Sequence, residues 1–427
     1  MLPDIQQDGH YLTREEMLAM RHREYHYNAW SNTMLDPYMQ PFWRWVVTFV
    51  PLWVAPSTLS ISGLVCNVVA TSITAFAAPT LTEPLPGWVC VINAISIFLY
   101  QTFDAIDGKQ SYRTQNSEVE EYADHAVDSI SVSLNAVMLA AALQLGDSPV
   151  LLGLNLMVGL SAFFAAHWAA HSTNSLIFGR VDVTEAQWSM IAMQLVSAAT
   201  GGGGSAIWDK IIFESPTIRV RDLVGLATGT AMLVSFTSNM LVALNVLKTP
   251  LETNGVAIPR TPLTLWPLMT FSIICTGTIS CFMNGLLTLQ PIPTLLIIGL
   301  AMGKAGTTMI VQRLARRHGP TMDLISFSPM AFFALSLLTD THYSTTFPIG
   351  AWTLVGILAL NICIFHENVT SDMKTARGID RFILVEEPGQ EGPKDTGFYV
   401  AGGNLANVQA DWKVFATDAA RVKATYS

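Results

Sequence analysis

The chain has 427 residues, 51% hydrophobic and 13% charged, with a mean hydropathy of +0.39 and a formal charge of −9. Soluble domains carry about 25% charged residues, so an ordinary cytosolic enzyme, a disordered chain and a small disulfide scaffold are excluded. The acidic balance also excludes a nucleic-acid partner, whose phosphates need a basic face. Eleven Trp, twenty Phe and eighteen Met suit aromatic belts and lipid contact. The composition predicts an all-α, polytopic integral membrane protein with about ten transmembrane helices.

From the N-terminus, residues 1–57 read as a polar segment followed by an interfacial helix. Arg14, Glu15, Glu16, Arg21, Arg23 and Glu24 leave no early apolar core for a signal peptide. The aromatic stretch from Pro41 to Trp53 holds one charge and ends at prolines, which suits a helix lying in the interface. Uncharged apolar runs then predict spans near 58–79, 86–104, 125–145, 149–170, 186–206, 222–247, 262–285, 289–312, 321–338 and 346–366. Asn284-Gly285 and Gln290-Pro291-Ile292-Pro293 divide what would be one overlong run. Gly201–Gly204 reads as the exit of the fifth span, because no Lys-Ser/Thr follows as a phosphate loop requires. Thr184 to Gln187 fits a capping box that opens that span. The polar tail 367–427 is expected to be mobile. The five cysteines lie in apolar runs without zinc-ligand spacing.

Ten spans put both termini on one side. That side collects Arg14, Arg21, Arg23, Arg44, Lys109, Arg113, Arg180, Lys248, Arg260, Arg313, Arg316 and Arg317. The other collects only Lys210, Arg219 and Arg221. The positive-inside rule makes the first side cytosolic.

One stretch breaks the apolar pattern. Asp104 and Asp107 stand three apart at the end of the second span, and Asp124 and Asp128 four apart at the start of the third. Each pair shares a helix face. A short loop lets the pairs face each other at one depth, where four carboxylates repel unless cations neutralise them. Oxygen ligands favour Mg2+ or Mn2+, and Mg2+ characteristically bridges carboxylates to substrate phosphates. These residues point to metal-assisted phosphate chemistry at the cytosolic face. The competing readings are acids hydrated among headgroups, and a cation path. The position at one edge, away from the midplane, weighs against the path. His167 and His171, four apart in the fourth span, read either as a polar cavity lining or as a metal pair lacking a third ligand.

The segment Asp104-Ala-Ile-Asp107-Gly108 with Asp124 and Asp128 resembles the signature of the CDP-alcohol phosphotransferase family. Wider features resemble its eukaryotic choline/ethanolamine branch. They are Gly108-Lys109-Gln110, Asp124-His125, Ala166-His167-Trp168, Phe178-Gly179 with Asp182 to Gln187, and the entry segment Pro51-Leu52-Trp53-Val54-Ala55-Pro56. The likeness covers residues 12–366. It implies a helical membrane homodimer whose site, near 104–128 within a 58–366 membrane domain, opens to the cytosol in endoplasmic reticulum or Golgi. It implies transfer of phosphocholine or phosphoethanolamine from CDP-choline or CDP-ethanolamine to diacylglycerol, with release of CMP. Asp104, Asp107, Asp124 and Asp128 become the metal ligands, and Gly108, Ser111 and Arg113 lie around the cytidine diphosphate. Asp128 is the implied base. His125 is its rival, since an imidazole titrates near neutral pH.

The chain departs from the family pattern at three places. Ser111-Tyr112 replaces Ala-Arg, with Arg113 one place late. Glu120 replaces a glycine in an interval one residue short. Ser57 stands where the family has Asn. Glu120 is expected to add bulk and negative charge beside the diphosphate. These departures raise a second reading, a catalytically impaired member acting as a binding or regulatory protein. An ion transporter is the third.

Overall fold

The computed structural model describes residues 10–379 except His26, Asn32, Gln115, 201–204, 250–251, 253–259, 261–263, His318 and 339–345, and also Tyr399 and Val400. The predicted glycine exit at 201–204 and nearly all of the tail beyond 379 therefore lie outside the described residues.

The helices are α1 (Arg14–His22), α2 (Asp36–Val47), α3 (Pro56–Ala77), α4 (Gly87–Arg113), α5 (Glu118–Ala142), α6 (Pro149–Thr173) and α7 (Val183–Ala199). They continue as α8 (Val220–Ala243), α9 (Trp266–Met283), α10 (Pro291–Ala315), α11 (Ser328–Leu338) and α12 (Thr346–Arg377). Among the described residues, eight are long and apolar enough to cross a membrane: α3, α4, α5, α6, α8, α9, α10 and α12. The remaining two predicted positions carry shorter helices. α7 has 17 residues, and α11 has 11 residues after a 3-10 turn at Leu324–Phe327. The expected ten is thus eight long helices and two short ones.

α11 starts late because the chain before it is irregular. Gln312 donates to the Pro320 carbonyl at 2.8 Å, Thr270 and Thr321 share a hydroxyl contact at 2.8 Å, and Lys304 lies 3.3 Å from Asp323. Non-helical backbone at membrane depth is tolerated where protein satisfies its polar groups. The start of α7 also differs from expectation. Asp182 is the N-cap and Glu185 completes the capping box, while the Thr184 hydroxyl donates to Asp36 at 2.7 Å. Burial pushes the Asp182 carboxyl up to about 6.

The core is built around α10, all of whose residues are buried. It packs on α5, α6 and α12, while α3 packs on both α4 and α5. Gly299 and Gly303 lie against Ser133 and Ser129 of α5. Small residues four apart on both partners let membrane helices approach closely.

The two ends of the bundle are chemically distinct. At one, Asp372 of α12 accepts the Tyr11 and Leu12 amides at 2.6 and 2.8 Å, and Arg377 and Arg23 both donate to Glu118. Both ends of the described chain thus meet on one side. At the other end, Arg221 pairs with Asp147 at 2.8 Å and with Asp209 at 3.3 Å, and Arg219 lies near the same two acids. Arg219 and Arg221, two of the three cations on the poorly basic side, are therefore neutralised locally.

Candidate metal and phosphate site

α4 and α5 continue past their apolar runs. α4 ends at Arg113 rather than 104, and α5 starts at Glu118 rather than 125. Hydropathy reads only the hydrocarbon-facing stretch, whereas helices continue wherever protein and water satisfy them. Both aspartate pairs therefore sit on rigid helix, one turn or more inside the α4–α5 junction.

The pairs converge as the spacing requires. Asp104 lies against Asp124 and Asp128, and Asp107 against Asp124. Asp107 is buried, and the other three are partly buried. The His125 ring inserts its Nδ1 between two of them, 3.7 Å from Asp124 and 3.6 Å from Asp128. Asp124, His125 and Asp128 form a group able to hold a metal ion. Among the described residues no Lys or Arg pairs with these four carboxylates. Among the described residues, none hydrogen-bonds to the buried Asp124 Oδ1 or to the buried His125 Nε2. Mutually repelling carboxylates with an orphaned buried oxygen are what a divalent cation would satisfy. The donor set fits one.

Two hydroxyls absent from the sequence reading aim the carboxylates. Ser60 of α3 donates to Asp107, and Tyr100 of α4 donates to Asp128 at 2.5 Å. Tyr100 stands four residues before Asp104, so a helical-wheel reading of α4 would have found it. Ser60 belongs to a different helix and gave no local signal. Hydroxyl donors behind metal ligands fix their orientation.

Of the residues expected around the nucleotide, Gly108 is exposed and a side chain there would meet open space. Ser111 is buried on the same face of α4, with its hydroxyl 3.3 Å from Asn116. Arg113 lies elsewhere. Its guanidinium donates to the Val47 and Val50 carbonyls, the latter at 3.2 Å, and to Gln110 at 2.8 Å. It ties α4 to the end of α2. The Glu120 carboxylate accepts the Ser57 amide at 2.8 Å, at the start of α3.

His167 joins the site's edge. Its ring is 5.3 Å from that of His125 and 4.4 Å from that of Phe163. It lies outside the metal-competent group, as does the buried His171. The segment after α1 forms a second wall. Tyr25 donates to Glu121 at 2.5 Å, and the Tyr27 ring is 6.3 Å from His125. Burial, with the Glu121 carboxylate, raises both phenols well above their usual range. Glu121 is itself neutralised by Arg313 of α10. Glu121, at the same end of α5, is therefore held in a structural ion pair, which sets it apart from the four aspartates.

A polytopic helical protein with a cation-competent cluster at one edge of its bundle defines a class, the integral membrane proteins with a candidate divalent-cation site. Comparison with known proteins narrows it. No protein-family model matches the chain. The chain is 36% identical over 214 residues to cholinephosphotransferase 1 of Gallus gallus, covering 50% of this chain and 63% of that one. It is 31% identical over 328 residues to cholinephosphotransferase 1 of Xenopus laevis, covering 76% and 78%. It is 27% identical over 363 residues to an uncharacterized CDP-alcohol phosphatidyltransferase class-I family protein of Dictyostelium discoideum, covering 82% of each. The chain spans less than two thirds of the chicken protein and about half the length of several other curated relatives it matches. The chain belongs to the CDP-alcohol phosphotransferase family, in its choline/ethanolamine phosphotransferase branch.

Proposed function

We propose that the protein transfers phosphocholine, phosphoethanolamine or both from the CDP-alcohol to diacylglycerol, releasing CMP. The observation that carries this reading is the meeting of Asp104, Asp107, Asp124 and Asp128 with no Lys or Arg in an ion pair with them among the described residues. These residues would hold Mg2+ or Mn2+, which supplies charge neutralisation for the diphosphate and for the phosphoryl oxygens during transfer.

The chain's own groups do the rest. The open face at Gly108 admits the nucleotide. The diacylglycerol hydroxyl enters from the lipid side, loses its proton to the protein, and attacks the β-phosphorus. The bond from that phosphorus to the bridging oxygen breaks, and CMP leaves with the electron pair. Two groups compete for the proton. Asp128 is engaged by Tyr100 and lies beside His125, whereas His125 Nε2 has no hydrogen-bond partner among the described residues. That difference supports His125 Nε2 as the acceptor, with Asp128 beside the ring's other nitrogen. The reading includes a homodimer in an internal membrane, endoplasmic reticulum or Golgi, with the site facing the cytosol. The basic loops at the end where both chain ends meet support that orientation.

Tyr112 and Glu120, at positions where the family keeps Arg and Gly, favour a second reading in which the chain binds but does not turn over. Membranes containing the protein, given labelled CDP-choline or CDP-ethanolamine, diacylglycerol and Mg2+ or Mn2+, separate the two. Metal-dependent formation of labelled phospholipid is expected. Nucleotide binding without product would replace the first reading by the second.

A further inference from the structure

The first turn of α3 touches both carboxylate helices. Ser57, its second residue, donates its amide to Glu120 of α5 at 2.8 Å. Ser60, one turn on, donates its hydroxyl to Asp107 of α4. All four groups are buried. The approach to this turn is gripped by α4, where Gln110 donates to the Pro51 and Val54 carbonyls, each at 2.9 Å. The Glu120 carboxylate thus meets position 57 through its main-chain amide. An acidic side chain at a helix N-terminus is stabilised by the unpaired amides there. The charge expected beside the diphosphate is spent on this turn.

We propose that Glu120 is a positioning residue: by holding the Ser57 amide it sets the first turn of α3 so that the Ser60 hydroxyl aims Asp107 into the carboxylate cluster. Glu120 touches no reacting atom in this scheme. It acts through α3. This rests on the metal-binding part of the function proposed above, and the contacts supply its logic. Loss of a group that orients a metal ligand characteristically costs 10–100-fold in metal affinity.

The test is Mn2+ binding to the full chain in detergent, read from the electron paramagnetic resonance signal of free Mn2+, with thermal melting followed in parallel. Ser60→Ala and Glu120→Ala are each expected to weaken Mn2+ binding about tenfold or more. The double variant should be no weaker than the worse single one, because both act on one chain of contacts. Glu120→Gln removes the charge and keeps an acceptor for the Ser57 amide, so it should bind Mn2+ within about threefold of the unmutated protein. Its KM for the CDP-alcohol should be unchanged, whereas a Glu120 that repels the diphosphate would make that KM fall. Unchanged Mn2+ affinity in Glu120→Ala, additive losses in the double variant, or a lower KM in Glu120→Gln each overturn the proposal. Unmutated protein that binds no Mn2+ overturns instead the metal reading on which it rests.

Discussion

Replacing Gly299 by Ala tests whether the α5–α10 contact sets the carboxylate geometry. A Cβ at position 299 would lie 2.0 Å from Ser133 Oγ, 2.6 Å from Ser133 Cβ and 3.6 Å from Ser133 Cα. Rotating the serine hydroxyl relieves the first contact and not the second. Restoring ordinary separation from that Cβ needs α5 to move by about 0.8 Å, and misplacement near 1 Å costs on the order of a hundredfold in rate. Overpacking of this kind destabilises by about 1–3 kcal/mol. Ser133→Gly removes both offending atoms and leaves only the Cα, at van der Waals distance. Gly299→Ala/Ser133→Gly should therefore recover melting temperature and transferase activity. Gly303 supplies the control. A Cβ there would meet the Ser129 carbonyl oxygen at 2.7 Å, which is backbone. Gly303→Ala should be as damaging, and Ser129→Gly should not rescue it. The assay is melting in detergent with turnover of labelled CDP-alcohol. Equal rescue at both positions, or full activity in Gly299→Ala alone, would refute the packing argument.

Asp107→Asn should remove nearly all transferase activity while the protein stays folded and inserted, and a chelator should do the same to the unmutated chain; activity surviving both would defeat the metal site. Arg113→Ala should lower the melting temperature, because three acceptors on α2, its following turn and α4 lose their donor, with little change in KM for the nucleotide; a KM rise without destabilisation would put Arg113 in the pocket after all. Reporters at the C-terminus and at Arg113 should both read cytosol, and a lumenal signal from either would overturn the topology. Arg260 grips the Glu252 carboxylate at both oxygens and holds it down at about 2. A depressed carboxyl contributes stability above its unfolded value, which is lost as pH falls through the folded one. The stability gap between the unmutated protein and Glu252→Gln should therefore be constant from pH 7 to about 5 and close between about 4.5 and 2, measured by melting; a gap that widens in acid would contradict the ion pair.

The sequence exposed the parts of this protein that follow from solvent and spacing. Apolar runs located every long helix, because the bilayer demands a minimum uncharged length. Four aspartates at helical spacing marked the candidate site, and the fold brings them together; acids at a membrane edge need a reason to be there. Hydropathy alone does not report where such helices end, since α4 and α5 are stabilised past their apolar runs by groups from distant parts of the chain. Glu118 is paired with Arg23 and Arg377, and Glu121 with Arg313. Ser60 and Arg113 were illegible for the same reason. What each does depends on a partner in another helix, and nothing local encodes that partner.

Glu120 is the sharper case. Aligned against the family pattern, it reads as a like charge intruding on a diphosphate. Placed in the fold, it accepts the main-chain amide of Ser57 at hydrogen-bonding distance. A carboxylate that looks costly beside a diphosphate then has a place in the fold: it satisfies an amide at the start of α3. The energetics favour that assignment. A buried carboxylate without a partner costs several kcal/mol, whereas one on a helix N-terminal amide is stabilised by both the hydrogen bond and the helix dipole. An acid in that position therefore belongs to the scaffold that holds Asp107, which sets it apart from the four aspartates, none of which pairs with a Lys or Arg among the described residues.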